Sequence, residues 1–324
     1  MSRILPIEPK NYACHPIHRE GRIWAETNCY CDVMIELLHA LGYEPRAALP
    51  FTLGIDFEGD QWTFFKFREA DLALLYALQI EELAPWRPLP DHIEEQVRQG
   101  RPVLVEVDSY FLPDTQGTAY QLSHVKSTIV VNEIDIEGRK LGYFHNQGYH
   151  VLQGDNFKDI FQVGGLAHER MLPPYIEFAK PQAGGRALTG VALRDASVKI
   201  LRDELERLPT SNPFVRFRAK FAQDMAWLLT SDVEVFHAYS FATFRQFGAC
   251  FELAETYLRW LQEQGLDDVG TAADDLRFIS ETSKALQLQL ARAMARKRDL
   301  ELDVLDAMAE RWARATSLLR ATVG

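Results

Sequence analysis

Residues 26–42 read ETNCYCDVMIELLHALG, and the fold turns on what this stretch becomes. Val33, Met34, Leu37, Leu38 and Leu41 recur at the i, i+3, i+4, i+7 spacing of an amphipathic helix, and Gly42 stops it. Thr27 or Asn28 supplies the N-cap oxygen, so Cys29 falls in the first turn. Unpaired backbone N–H groups and the positive end of the helix dipole favour an anion there, which marks Cys29 as the candidate nucleophile. Cys31 lies about 200° further round the helix and reads as a core residue.

The chain has 324 residues, four cysteines and a formal charge of −11. That length points to two domains of a globular protein. No apolar run approaches the roughly 20 residues of a membrane span, and MSRILPIEPKNYACHPIH lacks the apolar core of a signal peptide, so the expectation is a cytoplasmic protein without a membrane partner. The cysteines do not form a disulfide framework. The acidic balance argues against nucleic-acid binding, and no glycine-rich loop is built to cradle phosphate, so no cofactor is implied. Cys14, His15, His18, Cys29 and Cys31 lie close in sequence, but C-H-x2-H followed by C-x-C lacks the paired C-x2-C spacing of structural zinc sites. No metal is assigned.

The pattern changes character near residue 185. Before it, READLALLYALQI and DHIEEQVRQG read as helices, and RPVLVEVDSYF, STIVVNEIDI and KLGYFHNQGYHVL as strands. After the turn-rich AKPQAGGRALTG nearly everything has helical periodicity, through to a last segment around Trp312. The expected fold class is α+β, with a mixed domain over 1–185 and an all-α helical bundle over 186–324.

A thiol nucleophile needs a base. His124 stands at the entrance of one β run and Asn146 at the end of the next, and a hairpin of those strands would set the imidazole and amide side by side. The amide would fix the ring so that its other nitrogen meets the thiol, giving a Cys29-His124-Asn146 triad in papain-like order. His145 or Asp135 could orient the ring instead. Asp60, in the same segment as Asp56 and Lys66, and Asp108, with Asp114 nearby, are candidates for lining a substrate pocket, against the alternative of solvated turns.

Through TNCYCDVMIELLHALG, DFEGDQWTFFKF, EVDSYFLPDT and YQLSHVKSTI the sequence resembles domain-of-unknown-function family 1839 over essentially its whole length. Its first two thirds are also similar, distantly, to the N-terminal domain of the butirosin biosynthesis acyltransferase family. That papain-like fold moves an aminoacyl chain from a carrier protein to an amine. Cys29, Leu37, Leu38 and Gly42 occupy that family's helix positions, and Tyr110, Leu112, Pro113 and His124 match its Y-x-L-P and following His, adding Tyr110 to the pocket candidates. Where the family has Asp as third member this chain has Asn146, and where papain-like peptidases carry an oxyanion-hole Gln it has Ile23. The Cys29 backbone N–H and the Asn28 side chain are then the oxyanion candidates.

The resemblance implies a papain-like N-terminal domain and a cysteine acyltransferase of secondary metabolism. Its acyl or aminoacyl group arrives as a carrier-protein thioester on phosphopantetheine and leaves on a small-molecule amine. A peptidase or amidase using the same triad, and a non-catalytic carrier-binding protein, are the alternatives. An acidic carrier would need a local basic patch, for which VRFRAK (Arg216, Arg218, Lys220) and ARKR (Arg296, Lys297, Arg298) are candidates.

Overall fold

The computed structural model describes residues 1–19, 21–25, 28–161 and 174–324. The chain is α+β, with an antiparallel sheet and a helical C-terminal region. It divides into two compact units with interleaved segments: 1–19, 29–44 and 72–187 form the first, and 20–28, 45–71 and 188–324 the second.

The elements in chain order are β1 Ser2–Arg3, α1 Cys29–Ala40, α2 Glu69–Tyr76, β2 Leu78–Glu82, α3 Leu89–Arg98, β3 Val103–Asp108, β4 Lys126–Asp135, β5 Lys140–His145, β6 Gly148–Gln153, α4 Asp155–Ile160 and β7 Ile176–Pro181. The helices of the C-terminal region follow: α5 Gly190–Glu206, α6 Pro213–Leu228, α7 Val233–Ser240, α8 Gln246–Glu263, α9 Gly270–Arg296 and α10 Asp303–Val323.

In the first unit the strands pair in the order β2-β7-β3-β4-β5-β6, with β1 added beside β4, and every pairing is antiparallel. Strand alternation divides the sheet into two faces. Val103, Val105, Val107, Ile129, Val131 and Tyr143 share one core with Ile93 and Val97 of α3 and Phe157 and Ile160 of α4. The opposite face carries Thr128 and Glu177, which reach Cys29 and Tyr30 of α1.

The α1 stretch forms a helix, but not an amphipathic one with a wet side. Tyr30 through Leu38 are all buried, Asp32 and Glu36 among them. The buried carboxylates are matched by the preceding segment: Glu36 accepts from the His15 backbone N–H at 3.1 Å and bonds the Tyr12 hydroxyl and His18 Nδ1, while His18 Nε2 lies 3.2 Å from Asp32. Gly42, at φ 81°, closes the helix as the periodicity implies, with Tyr43 N–H donating to Leu38 and Gly42 N–H to His39, both at 2.9 Å. Of the expected caps, Thr27 lies outside the described residues.

Two other segments depart from the sequence reading. READLALLYALQI is helical only to Tyr76; Ala77 at φ 53° breaks it and LQI begins β2. KLGYFHNQGYHVL is two strands, because Asn146 at φ 49° turns the chain between β5 and β6.

The second unit takes in 20–28 and 45–71, which sequence periodicity assigns to the first domain. The reason is visible in their partners. Ser197 Oγ donates to Ala47 O at 2.7 Å, the Cys250 thiol to Thr52 O at 3.3 Å, and Arg68 pairs with the fully buried Glu204 at 2.7 Å. Glu252 accepts from the Trp24 backbone N–H at 3.0 Å, and the Trp24 indole donates to Ser280 O at 3.1 Å. A short π-helical turn, Phe241–Arg245, joins α7 to α8, and Trp62 packs with Phe214 and Phe247 at centroid distances of 4.9 Å each. No described helix is long and apolar enough to cross a membrane.

Candidate functional site

Cys29 is the first residue of α1 and is half-buried. Its thiol donates to Thr128 Oγ1 at 3.7 Å, on the face of β4 that receives α1. Cys31 is fully buried, as its position on the helix implies.

His124 lies in the loop that leads into β4. Its Nδ1 lies 2.6 Å from Asp108 Oδ2, and its ring stacks on Tyr110 with centroids 4.4 Å apart and planes 12° from parallel. The imidazole side chain is 70 % exposed. Registers Glu106↔Thr128 and Asp108↔Lys126 put Asp108 and Thr128 on one face, one alternation step apart. The thiol contact and the imidazole–carboxylate pair therefore share one face and one end of the β3–β4 ladder. Lys126 Nζ bonds Glu106 there at 2.6 Å, and the Tyr30 hydroxyl donates to Glu177 at 3.0 Å. Burial, then the charge of Glu177, holds the Tyr30 phenol far above its ordinary range, so it stays a donor.

Of the residues singled out in the sequence, Asp108 and Tyr110 are brought to His124. Asn146 is not: it occupies the turn between β5 and β6, and the ring's partner is a carboxylate of β3 instead. The chain entering β4 runs beside the end of β3, which is why the imidazole meets Asp108. Asp135 sits at the far end of β4, where it accepts from the Gly138 backbone N–H at 3.0 Å, and His145 faces the other side of the sheet. Asn28 is buried and donates its amide to Phe65 O at 2.7 Å, so that donor is committed away from an oxyanion. Asp60 stands exposed on a turn closed by Glu58 N–H to Gln61 O at 2.8 Å, within the second unit.

Among the described residues no group of three or more His, Cys, Asp or Glu side chains is arranged to hold a metal ion. His15 Nδ1 accepts from the Ile17 backbone N–H at 3.2 Å, and His18 is held by Asp32 and Glu36. Of the basic segments, Arg216 pairs with Asp56, Arg218 with Asp306 at 2.8 Å and Lys220 with Asp224, which spends their charge internally. Arg296, Lys297 and Arg298 are exposed at the C-terminus of α9.

A second polar chain joins His145 and Asp114, which the sequence offers for other roles, to Ser127 and Tyr143. Ser127 Oγ lies 2.7 Å from His145 Nε2, His145 Nδ1 lies 2.5 Å from Asp114 Oδ2, and the Tyr143 hydroxyl donates to Asp114 Oδ1 at 2.5 Å. Burial pushes the Asp114 carboxyl up, but the hydrogen bond and charge of His145, the charge of His150 and the Tyr143 hydroxyl outweigh it and hold the group below its usual range. Ser127, the second residue of β4, and Tyr143 of β5 carry no local sequence signal that would join them to it.

A family model for the DUF1839 N-terminal domain matches residues 13–181, and one for the DUF1839 C-terminal domain matches 190–321. The chain belongs to the DUF1839 family. Cys29, Asp108, Tyr110 and His124 all fall within the N-terminal match. No curated protein matches the chain.

Proposed function

We propose that the chain is a cysteine acyltransferase of papain-like architecture, with Cys29 as nucleophile, His124 as base and Asp108 as the group that orients the ring. The observation that carries this reading is the shared sheet face: a thiol at a helix N-terminus and an imidazole on a carboxylate, one alternation step apart. A helix packed by its N-terminal thiol onto an antiparallel sheet, with the base entering a central strand, supports the papain-like assignment.

In the reaction, His124 Nε2 takes the Cys29 proton and the thiolate adds to a thioester carbonyl. The carbon–sulfur bond to the phosphopantetheine of an acyl or aminoacyl carrier protein breaks, and His124 returns the proton to the leaving thiol. An acceptor amine then adds to the acyl-Cys29 carbonyl, its proton passes through His124, and Cys29 leaves as the thiol. Nε2 makes no hydrogen bond among the described residues, which leaves that nitrogen to accept the thiol proton while Asp108 holds Nδ1.

The test is incubation with an aminoacylated carrier protein and intact-mass analysis. Loss of the thioester with the matching mass gain on the wild type, absent from Cys29→Ala, supports the reading. Peptide cleavage that depends on Cys29, with an inert thioester, moves the assignment to a peptidase or amidase. Carrier binding with neither reaction moves it to a non-catalytic partner.

A further inference from the structure

The loop from Ser109 to Val125 leaves β3 and returns into β4, and the His124–Tyr110 stack sits at its base. Its ends are joined by Ser109 N–H to Val125 O at 2.8 Å. Inside it, Thr115 Oγ1 donates to Ser109 O at 3.1 Å and Leu112 O at 2.9 Å, and Gln121 N–H donates to Tyr110 O at 3.0 Å. The loop is thus moulded by its own hydrogen bonds, and where it sits on the sheet decides where the imidazole points.

Two side chains tie it down. Tyr120 donates its hydroxyl to Asn156 of α4 at 3.0 Å. Asp114 spends both carboxylate oxygens on β5, through Tyr143 and His145 at 2.5 Å each, with His150 Nε2 at 4.0 Å. His145 then reaches Ser127 at 2.7 Å, so the chain of bonds returns to β4 just past the loop's exit. Ser127, His145 and Asp114 have the connectivity of a hydrolase triad. Burial decides against that use: Ser127 is 6 % and His145 2 % exposed, which leaves no approach for an acyl group. A fully satisfied buried network instead fixes geometry.

We propose that Asp114 is a positioning residue for His124: its bonds to Tyr143 and His145, extended to Ser127, clamp the 109–125 loop so that the imidazole is held against Tyr110 and Asp108. This rests on His124 serving Cys29 as base, and the test separates the two.

In the full-length protein at fixed pH, the His124 ring protons are followed by NMR in the wild type and in Asp114→Asn, Tyr143→Phe and Ser127→Ala, beside thermal midpoints. Tyr110→Leu gives the unstacked reference. The stacked ring carries an upfield ring-current shift and cross-relaxes with Tyr110. The expectation is that Asp114→Asn moves the His124 signals most of the way to the Tyr110→Leu position, that Tyr143→Phe and Ser127→Ala move them part of the way, and that Cys29 acylation slows at least about tenfold. Should Asp114→Asn fail to fold, the two milder variants give the same reading. Variants that lose thermal stability while His124 keeps its wild-type shifts overturn the proposal and make the network packing alone. A shift that moves in a protein whose Cys29 is never acylated leaves the clamp standing and removes the acyltransferase; acylation that survives with an unmoved His124 does the reverse.

Discussion

The hydrogen-bond partner of the Cys29 thiol is Thr128 Oγ1, at 3.7 Å, and not an imidazole. A hydroxyl there accepts from the thiol and, by rotating about its own C–O bond, donates to the thiolate once the proton has left. Both roles hold the sulfur at the end of the β3–β4 ladder that carries Asp108. Replacing Thr128 by the isosteric Val keeps the packing and removes only the hydroxyl. The expected outcome is a slower alkylation of Cys29 by iodoacetamide at pH 8, by about fivefold, the equivalent of one hydrogen bond of about 1 kcal/mol. Folding stability should change by less than about 1 kcal/mol. An alkylation rate equal to the wild type, read by mass spectrometry over time, would deny Thr128 any part in holding the reacting sulfur.

Asp108 and Asn146 make opposite predictions. His124→Ala and Asp108→Ala should each lower Cys29 acylation by about 10²-fold or more, the lower range for loss of a general base or its support. Asn146→Gly should leave the rate unchanged, because the turn needs a residue at φ 49° and glycine takes that conformation without strain. Asn146→Val should lower stability by about 1–2 kcal/mol in a urea titration, since a β-branched residue is strained there. If Asn146→Gly lost activity as severely as Asp108→Ala, the amide would have to be returned to the site.

These residues show which parts of the molecule can be read from sequence. The helix of Cys29 was legible because its apolar spacing and terminal glycine are local signals, and so was the α+β character of the chain. The burial of Asp32 and Glu36 was not, since their partners Tyr12, His15 and His18 come from a segment without periodicity. His124 could be noticed as an imidazole before a strand, but its partner is chosen by strand order. With β3 beside β4, Asp108 lies at the ring's Nδ1, whereas hairpin reasoning from β4 and β5 alone leads to Asn146. Periodicity places segment 45–71 in the first domain for the same reason: the buried Ser197, Cys250 and Glu204 that hold it lie more than a hundred residues further along.

Gly248 in α8 is where the second unit tolerates least. A Cβ built there would lie 2.5 Å from Cε2 and Cζ2 of the Trp24 indole. That ring is 1 % exposed, is tied by its N–H to Ser280 O at 3.1 Å, and carries Lys284 Nζ 4.5 Å from its centroid, so it has little room to retreat. Alanine is intrinsically better than glycine in a helix by about 1 kcal/mol. Overpacking wins over that preference, and Gly248→Ala should lower stability by about 1–3 kcal/mol. Urea denaturation with Trp fluorescence reads both the midpoint and the displaced indole. A stabilised Gly248→Ala protein would show that the Trp24 segment yields freely.

Asp71 gives the second unit a pH dependence of opposite sign to that of a paired carboxylate. Burial raises its carboxyl, the neighbouring Glu204 raises it further, and Arg68 and Arg207 offset only part, leaving it at about 6. One of its oxygens is buried without a hydrogen-bond partner among the described residues. Unfolded, the same carboxyl titrates near 3.9. Because the folded value is the higher one, the folded state binds the proton more tightly between these values. Its contribution to stability is complete below about pH 4 and is lost as pH rises through about 6. Asp71→Asn keeps the shape and cannot ionise. It should leave the thermal midpoint unchanged at pH 4 and raise it at pH 8 by about 2–4 °C, corresponding to about 1 kcal/mol once solvent screening of a half-buried group is allowed for. Differential scanning calorimetry of both proteins across that range checks it. A difference between them that is the same at pH 4 and pH 8 would trace the effect to amide packing and not to the charge.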